Sequence, residues 1–253
     1  MWRGDTTFVL ENLILKDFRI RYRNMSLGVF WSLLNPLVMM VVLTFVFTLI
    51  FPSPSPDFPI FVLCGLIPVN FFGMAWSNGT SSITDNAGLI KRVPMPGEIV
   101  PVASVLSNCL HLLIQIGLLL ALTLAWGKSV NPNWIWLPAV LVLFVGFVCG
   151  LALLFSGLHV YVRDTRYAVE SANTMVFWLV PVMYSHAMVP RQFVGIYELN
   201  PVAAVVMAMR DILLDARAPR TVLMIKLAAA TAVMLMAGHF VFSRLRKGFY
   251  RHL

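Results

Sequence analysis

Residues 129–162 read SVNPNWIWLPAVLVLFVGFVCGLALLFSGLHVYV and contain no Asp, Glu, Lys or Arg. The hydrocarbon core of a bilayer is roughly 30 Å thick, and a helix needs about 20 apolar residues to cross it. This stretch is long enough to cross even when its first polar residues stay outside the lipid. It therefore predicts a transmembrane helix at 134–161, and lipid as the main solvent around the chain.

Five further segments have the same character. They are the uncharged runs at 27–56, 58–84, 99–127, 171–190 and 227–243. The last run reaches spanning length when residues 222–226 are included, because the stem of Lys226 extends to the interface. Hydrophobic residues make up 59% of the chain and charged residues 12%, which is about half the charged share of a soluble domain. We therefore predict an all-α integral membrane protein with six transmembrane helices, at 28–51, 59–83, 99–126, 134–161, 168–188 and 222–243.

The positions of the 19 Lys and Arg residues predict how these helices are oriented. Positive charge collects on the cytoplasmic flanks of membrane helices. When both termini are placed in the cytoplasm, most of the cations fall on that side, at 3–23, 91–92, 163–166 and 244–251. The net charge of +8 is then a topology signal and a source of attraction to anionic membrane lipids, and no nucleic-acid partner is predicted.

An amphipathic helix is predicted at 8–24, before the first span. At about 100° per residue it separates an apolar stripe from a basic one, and the two stripes are Leu10, Leu13, Ile14 and Phe18 against Asn12, Lys16, Arg19 and Arg23. Such a helix lies along the cytoplasmic interface. Two hypotheses stay open, a plain membrane anchor and a site where Lys16, Arg19 and Arg23 collect the head group of an anionic lipid-linked substrate.

A second cytoplasmic feature is the segment DNAGLIKRVPMPGE at 85–98. Its apolar residues share one face of a short helix, its two cations lie on the other face, and the prolines end the helix abruptly. A short protruding helix fits a groove on a cytoplasmic partner, although a turn that only reverses the chain has a similar sequence. The residues expected at such a contact are Leu89, Ile90, Lys91, Arg92, Val93 and Pro94.

The external connection at 189–220 is long for a loop without a role. Its uncharged part, 199–209, is too short to cross the membrane. Asn200 and Pro201 are typical of a helix cap followed by a first-turn proline. We predict a short re-entrant or interfacial helix at the mouth of a pathway, with an ordinary surface helix as the alternative.

The residues that carry chemistry in other proteins do not form a catalytic pattern here. Gly127, Lys128 and Ser129 do not complete a phosphate-binding loop, because Leu122 stands where that loop needs glycine. Acidic residues are too dispersed for the metal cluster that a membrane transferase needs. His111 and Gln115, like the other polar residues within the spans, are expected to form hydrogen bonds between helices. No catalytic, metal or cofactor site is predicted.

Five segments together resemble a known family, the membrane subunits of type-2 ABC exporters that move polysaccharides, in particular the O-antigen and teichoic-acid permeases. The resemblance covers almost the whole chain. It rests on LILKDFRIRYRNMSLGVFWSLLNPL at 13–37, GLIPVNFF at 65–72, NAGLIKRVPMPGEIVPV at 86–102, YVRDTRY at 161–167 and NP at 200–201.

The resemblance implies one ABC-2 type transmembrane domain over 1–253. It also implies that 8–24 is the interface helix, that 85–98 docks on a separate nucleotide-binding ATPase subunit, and that two copies of each subunit assemble. ATP and Mg²⁺ would then bind to the ATPase partner, and this chain would be a transport subunit rather than an enzyme. The implied substrate is a lipid-linked polysaccharide of the O-antigen type, exported across the bacterial inner membrane for lipopolysaccharide biosynthesis. Teichoic acid, capsule, a smaller glycolipid or a drug are alternatives, and a multi-span membrane transferase is a distant one.

The resemblance further implies that the polymer threads between two permease copies. Sugar rings slide on aromatic faces, which make apolar contact without fixed hydrogen bonds. The candidates for a channel lining are Phe30 and Trp31 on the first span and Phe177, Trp178 and Tyr184 on the fifth. Aromatic residues of membrane helices also face lipid, pack in the core or form an interfacial belt, and these alternatives stay open.

Overall fold

The computed structural model describes residues 6–23, 28, 30–50, 57–92, 95–185 and 188–249. The regular structure of these residues is helical, and no β-strand occurs among them. The ten α-helices are α1 Thr6–Tyr22, α2 Phe30–Phe45, α3 Phe58–Asp85, α4 Ala87–Arg92, α5 Ile99–Ala125, α6 Trp136–Tyr161, α7 Thr165–Leu179, α8 Arg191–Leu199, α9 Pro201–Leu213 and α10 Thr221–Leu245.

Five of the described helices are long and apolar enough to cross a membrane, and they cover 30–50, 58–85, 99–125, 132–161 and 221–248. The first of them is α2 together with a π-helical turn at Val46–Ile50. The helices α8 and α9 meet at an angle of 94° and give a sixth span if they are taken as one broken element. The predicted all-helical membrane fold is therefore confirmed.

The fifth predicted span, at 168–188, differs from the helix that forms there. The helix α7 ends at Leu179, and Val180 has extended backbone angles (φ −91°, ψ 134°). Pro181 explains this end, because its ring disfavours helical geometry at the preceding residue and it has no N–H to continue the ladder. The chain from Val180 to Ser185 is non-helical.

The helix α7 and this extended segment nevertheless run antiparallel to α3 over a long distance. Asn173 of α7 donates a hydrogen bond to Ser77 of α3, whereas Val182 packs against Gly65. Residues 65 and 77 are about 18 Å apart along a helix at 1.5 Å per residue. The two parts together therefore cover much of the depth that a single transmembrane helix would cover.

The core is centred on α3, which packs against α2, α5, α6, α7 and α9. Phe144 of α6 is fully buried and lies 5.5 Å from Phe71 and 6.4 Å from Phe72, measured between ring centroids. On the far side of α6, Gly150 and Gly238 bring the backbones of α6 and α10 into close contact, because a Cβ on Gly238 would collide with the Gly150 carbonyl. Small residues of this kind allow close packing of membrane helices.

The bundle has two ends, which contain different helices and loops. We call the end that contains α4, Asp85 and the start of α5 the α4 end, and the end that contains the start of α3 and the residues after α9 the α9 end. At the α9 end, Lys128 and Asp57 form an ion pair of 2.7 Å, and Asn131 donates to the carbonyl of Ile212. These contacts join the connection between α5 and α6 to α3 and α9.

Candidate functional site

A stripe of polar side chains follows one face of α3. Asn70, Ser77, Asn78 and Ser81 are spaced so that they point to the same side of the helix, and Asp85 ends the stripe. The stripe covers about 22 Å at 1.5 Å per residue. None of its members is fully buried, although α3 is otherwise the most buried span of the bundle. We call the open channel along this stripe the α3 groove.

On one flank of the α3 groove lie two cavities formed with α1, α2 and α5. The outer one, near the α4 end, has a volume of about 360 Å³ and is lined by Lys16, Ser81, Asp85 and other polar residues. The inner one, of about 200 Å³, we call the amide cavity because four carboxamides line it, together with three aromatic rings and an imidazole. Its main lining residues are Tyr22, Trp31, Asn35, Asn70, His111 and Gln115.

The other flank of the α3 groove is formed by α7. A wide opening of about 600 Å³ lies between the two helices and is lined by Asn70, Asn173, Phe177 and the carboxylate-bearing Glu170. Asn173 donates from Nδ2 to Ser77 Oγ at 3.0 Å and to the Gly73 carbonyl at 3.3 Å. Polar groups thus bridge α3 and α7 at a depth where lipid alone would leave them unsatisfied.

Hydrogen bonds also connect α5 with its neighbours, as expected for polar residues within spans. Asn78 Nδ2 donates to Asn108 Oδ1 at 3.3 Å, and the side chain of Gln115 donates to the Ser32 carbonyl at the start of α2 at 2.8 Å. Nδ1 of His111 forms a hydrogen bond with the Tyr22 hydroxyl of α1. The helices α1, α2 and α3 are therefore each joined to α5 around the amide cavity.

The five predicted lining aromatics are spread over the two flanks. Trp31 lines the amide cavity, and Phe177 lines the opening beside α7. Phe30 and Trp178 are 70% and 67% exposed on the outer surfaces of α2 and α7. Tyr184 lies outside both cavities, and its hydroxyl donates to the Tyr197 hydroxyl at 2.9 Å. The structure thus brings Trp31 and Phe177 to the α3 groove and leaves the other three away from it.

The three predicted head-group cations lie around one cavity. Lys16, Arg19 and Arg23 line a concave region of about 670 Å³ on the open side of α1, which we call the cationic cavity. Tyr22 lines this cavity as well as the amide cavity. The exposed side of α1 is mixed rather than purely polar, since Leu15 and Ile20 are exposed beside the cations. Such a surface suits a lipid–water boundary.

The predicted ATPase-contact segment is a short helix attached firmly to the bundle. Ile90 of α4 is buried in a small core with Leu13 of α1 and Phe242 of α10. Lys91 and Arg92 are exposed and Leu89 is half-buried. Val93 and Pro94, which were predicted with them, lie outside the described residues. The two cations of α4 are therefore exposed, while its apolar side packs in a core that includes residues of α1, α3, α5, α6 and α10.

Both ends of this segment are held by polar contacts. Before α4, Lys16 donates to Asn86 Oδ1 at 2.6 Å, and Asn86 donates to the Ser82 carbonyl. After α4, Glu98 accepts a hydrogen bond from Arg246 at 3.0 Å. The segment is therefore tied to α1 on one side and to the end of α10 on the other.

At the α9 end, the predicted mouth element consists of α8 and α9. The Asn200 side chain accepts from the Val202 amide and caps α9, with Pro201 in its first turn, as the sequence indicated. Arg210 is buried, donates to the carbonyls of Phe61 (3.1 Å) and Val182 (2.8 Å), and lies over the Phe61 ring. It therefore links α9 to α3 and to the extended segment after α7.

The turn that follows α9 carries its own charge cluster. Arg217 forms ion pairs with the buried carboxylate of Asp211 and with Asp215 at 2.9 Å. The hydrogen bond to Asp211 raises the pKa of the Arg217 guanidinium. Within the described ranges, no three His, Cys, Asp or Glu side chains are grouped closely enough to hold a metal ion.

The sequence did not single out the polar stripe of α3 or the carboxamides beside it. The uncharged run at 58–84 was interpreted only as a transmembrane span, although it contains Asn70, Ser77, Asn78 and Ser81. Their spacing was the available signal, because four polar residues on one face of a buried helix indicate a path or an interface. Asn35, Asn108 and Asn173 lie on three other helices, and the fold brings them to this face.

Comparison with known proteins agrees with this arrangement. Residues 10–214 match the family model of the ABC-2 type transporter. An O-antigen export system permease protein, RfbA of Klebsiella pneumoniae, is 29% identical over 212 residues, which cover 83% of this chain and 81% of that protein.

Two further relatives match over greater lengths. RfbA of Myxococcus xanthus, also an O-antigen export system permease protein, is 28% identical over 245 residues, or 95% of this chain and 94% of its own. The polysialic acid transport protein KpsM of Escherichia coli is 25% identical over 232 residues, or 90% of each chain. The family predicted from the five sequence segments is confirmed, and the chain is a membrane protein of the ABC-2 type transporter family.

Proposed function

We propose that this chain is the permease subunit of an ATP-driven exporter. It moves a lipid-linked polysaccharide of the O-antigen type from the cytoplasmic side across the bacterial inner membrane. It works as a homodimer with two copies of a separate ATPase subunit, which binds ATP and Mg²⁺. The permease itself catalyses no reaction, and its role is to provide the path and to couple that path to the ATPase.

The observation that carries this proposal is the α3 groove. A polysaccharide presents hydroxyl groups along its whole length, and each buried polar group needs a partner in a membrane interior. The groove supplies amide and hydroxyl partners over about 22 Å of α3, beside the aromatic rings of Trp31 and Phe177. A path of this chemistry suits a neutral or weakly charged sugar chain better than an apolar drug.

The names of the relatives support the same substrate class. Those named as O-antigen export permeases are 28–29% identical to this chain, against 23–25% for those named as polysialic acid transport proteins. We therefore favour an O-antigen type polymer over a capsular one. The α3 groove fits both polymers, because a path along which a chain slides discriminates by the thickness of the chain more than by its hydroxyl pattern.

The α3 groove is open toward the outside of the single chain, and a second copy closes it. The flanking helix α2 exposes Phe30, Val38, Val41 and Phe45, and α7 exposes Trp178. Apolar surfaces on both sides of a polar groove suit two copies that face each other across a central path, with lipid at the rims.

The cationic cavity admits the head group of the lipid carrier in this proposal. Lys16, Arg19 and Arg23 attract phosphate from the membrane surface. The α4 end, with the cations of α1, α4 and the end of α10, is then cytoplasmic, and both termini lie on that side. The α9 end is external, and the pair α8–α9 covers the outlet as a re-entrant element.

Coupling to ATP hydrolysis is assigned to α4. Lys91 and Arg92 are exposed and free to contact an ATPase groove, whereas Ile90 transmits movement to the bundle core. Leu89, at the edge between the two surfaces, completes the contact.

Deletion of the gene for this chain tests the proposal. Cells that lack it are expected to retain the polysaccharide inside, still attached to its lipid carrier, and to lose it from their surface. Purification of the tagged chain in mild detergent is expected to yield an ATPase in equal amount. A normal surface polysaccharide in the deletion strain would overturn the proposed function.

A further inference from the structure

The amide cavity has the lining of a sugar-binding site. Its described lining contains no Lys, Arg, Asp or Glu, so a neutral ligand suits it better than an ion. A carboxamide offers two N–H donors and two acceptor lone pairs, which match the adjacent hydroxyls of a sugar ring. Trp31 adds an aromatic face for the apolar side of such a ring.

Two of the carboxamides are available for a ligand. The side chains of Asn35 of α2 and Asn70 of α3 make no hydrogen bond within the described residues, and neither residue is fully buried. Gln115 is buried and donates to the Ser32 carbonyl, and His111 is fixed by Tyr22. The cavity thus combines a rigid inner wall on α5 with open amides on α2 and α3.

The volume of the amide cavity sets the size of the ligand. Its approximately 200 Å³ lies below the roughly 300–1,000 Å³ of pockets that hold drug-sized ligands. That volume suits one sugar ring and is too small for an oligosaccharide. A polymer that slides through the α3 groove therefore places at most one ring here at a time.

The position of the amide cavity indicates which sugar ring of the substrate it binds. Tyr22 lines both the amide cavity and the cationic cavity, so a neutral polar site and a phosphate-attracting site meet at one residue. In a lipid-linked saccharide only the first ring is bonded to the phosphate of the lipid carrier. The two adjoining sites match the two adjoining parts of that molecule.

We propose that the amide cavity binds the phosphate-bearing first sugar of the lipid-linked substrate while Arg19 and Arg23 hold its phosphate. This inference rests on the proposed function and adds a loading site to it. The permease holds the glycosyl phosphate end at this site before transport begins, whereas the later rings exchange hydrogen-bond partners as they pass along the α3 groove. Selectivity for the first sugar is therefore located on this chain.

The test uses the full chain in lipid nanodiscs and two radiolabelled probes. The first probe is the lipid-linked saccharide that accumulates in cells deleted for this chain. The second is the lipid phosphate that remains after acid release of the saccharide. The wild-type chain is expected to bind the first probe at least tenfold more tightly than the second.

Variants then assign this preference to the cavity. The double variant Asn35→Ala with Asn70→Ala is expected to reduce the preference below threefold while binding of the lipid phosphate stays unchanged. Trp31→Ala gives an independent second variant, since its ring is half exposed and its loss need not disturb the fold. Arg19→Gln with Arg23→Gln is expected to weaken both probes. Asn133→Ala, which removes a bond to the Ala216 carbonyl at the α9 end and lies away from both cavities, serves as the matched amide control.

Each result has a defined meaning. Equal affinity of the wild-type chain for the two probes overturns the loading site, as does an unchanged preference in both the double variant and Trp31→Ala. If the deletion strain accumulates no lipid-linked saccharide, the proposed function fails instead. The two failures are therefore distinguished before any variant is measured.

Discussion

The Lys16 ammonium donates a hydrogen bond of 2.6 Å to Oδ1 of Asn86, although the two residues are 70 positions apart in the chain. Lys16 lines the cationic cavity, and Asn86 directly precedes α4. A single contact thus joins the surface proposed to attract the substrate head group to the segment proposed to contact the ATPase. The same ammonium also pairs with Asp17 at 3.5 Å, so in the proposed function a phosphate bound in the cationic cavity would share this ammonium with the residue that precedes α4.

This contact predicts that Lys16→Met and Asn86→Ala each lower the amount of polysaccharide exported per ATP hydrolysed. Residues that act through one contact show non-additive effects, typically of about 0.5–3 kcal/mol, so the double variant is expected to be no worse than either single one. The measurement is export and ATP turnover in the reconstituted complex. Lys247→Met, an exposed cation at the same end of the bundle, is the control, and additive losses in the double variant would contradict the shared role.

The contact residues of α4 predict a separation between coupling and stability. Lys91→Glu with Arg92→Glu is expected to abolish co-purification of the ATPase without lowering the thermal stability of the permease, because both side chains are exposed. Ile90→Ala is expected to destabilise the permease by about 2–5 kcal/mol, the usual cost of truncating a buried isoleucine. Thermal unfolding in detergent and a pull-down assay measure the two effects. Retention of the ATPase by the charge-reversed chain would exclude α4 as its contact.

The contacts of Arg210 predict how α9 is held to α3 and to the segment after α7. Hydrogen bonds to charged groups contribute about 1.5–3 kcal/mol each, and Arg210 donates to the carbonyls of both Phe61 and Val182. Arg210→Met keeps the apolar volume and leaves these carbonyls without their donor, so α9 and the segment after α7 are expected to separate. The readout is a lower unfolding temperature together with faster labelling of a cysteine introduced at Val182.

The matched control for this change is Arg220→Met, since Arg220 is exposed at the start of α10. It removes the same charge from the same end of the protein and is expected to leave both readouts unchanged. Equal behaviour of the two variants would show that Arg210 does not hold α9 to α3 and to the segment after α7.

A pair of glycines in long helices predicts opposite responses to the same substitution. Gly238→Ala places a methyl group against the backbone of Gly150, and overpacking of this kind costs about 1–3 kcal/mol. Gly117 of α5 has open space around it, so Gly117→Ala is expected to stabilise its helix by up to about 1 kcal/mol. Unfolding temperatures of the two variants in the same detergent give the comparison, and a stable Gly238→Ala chain would show that α6 and α10 are free to separate.

The spans were predictable because hydropathy and length act locally. An uncharged run of more than 20 residues has few alternatives to a membrane helix, and five such helices formed close to the predicted ranges. The early end of α7 at Leu179 also had a local signal, namely Pro181 within the apolar run. The prediction followed the length of the uncharged run instead. That length reports apolar content and does not include the backbone restriction that proline imposes.

The α3 groove was not predictable from the same information. A polar residue in a span faces either a neighbouring helix or an open path, and the sequence of one helix is the same in both cases. Asn173 bridges to α3, whereas Asn70 faces a cavity, and only the packing of α7 and α5 around α3 distinguishes them. The cations of α1 were found because an interface helix shows them on one face, but their approach to the amide cavity through Tyr22 depends on how α1 docks on α5.

The aromatic residues beside the α3 groove predict a dependence on polymer length. If sugar rings slide along Trp31 and Phe177, each additional ring meets the same surface, so the cost of losing that surface accumulates with chain length. Trp31→Ala and Phe177→Ala are therefore expected to slow the export of long polymers several-fold more than that of short ones.

Trp178→Ala is expected to have a smaller effect, because that ring lies on the outer side of α7 and is 67% exposed. Trp136→Ala, at the α9 end of α6 and away from the groove, is the control for general loss of stability. The measurement is the length distribution of surface polysaccharide, resolved by gel electrophoresis at equal permease levels, and a uniform reduction at all lengths would show that the rings stabilise the fold without touching the substrate.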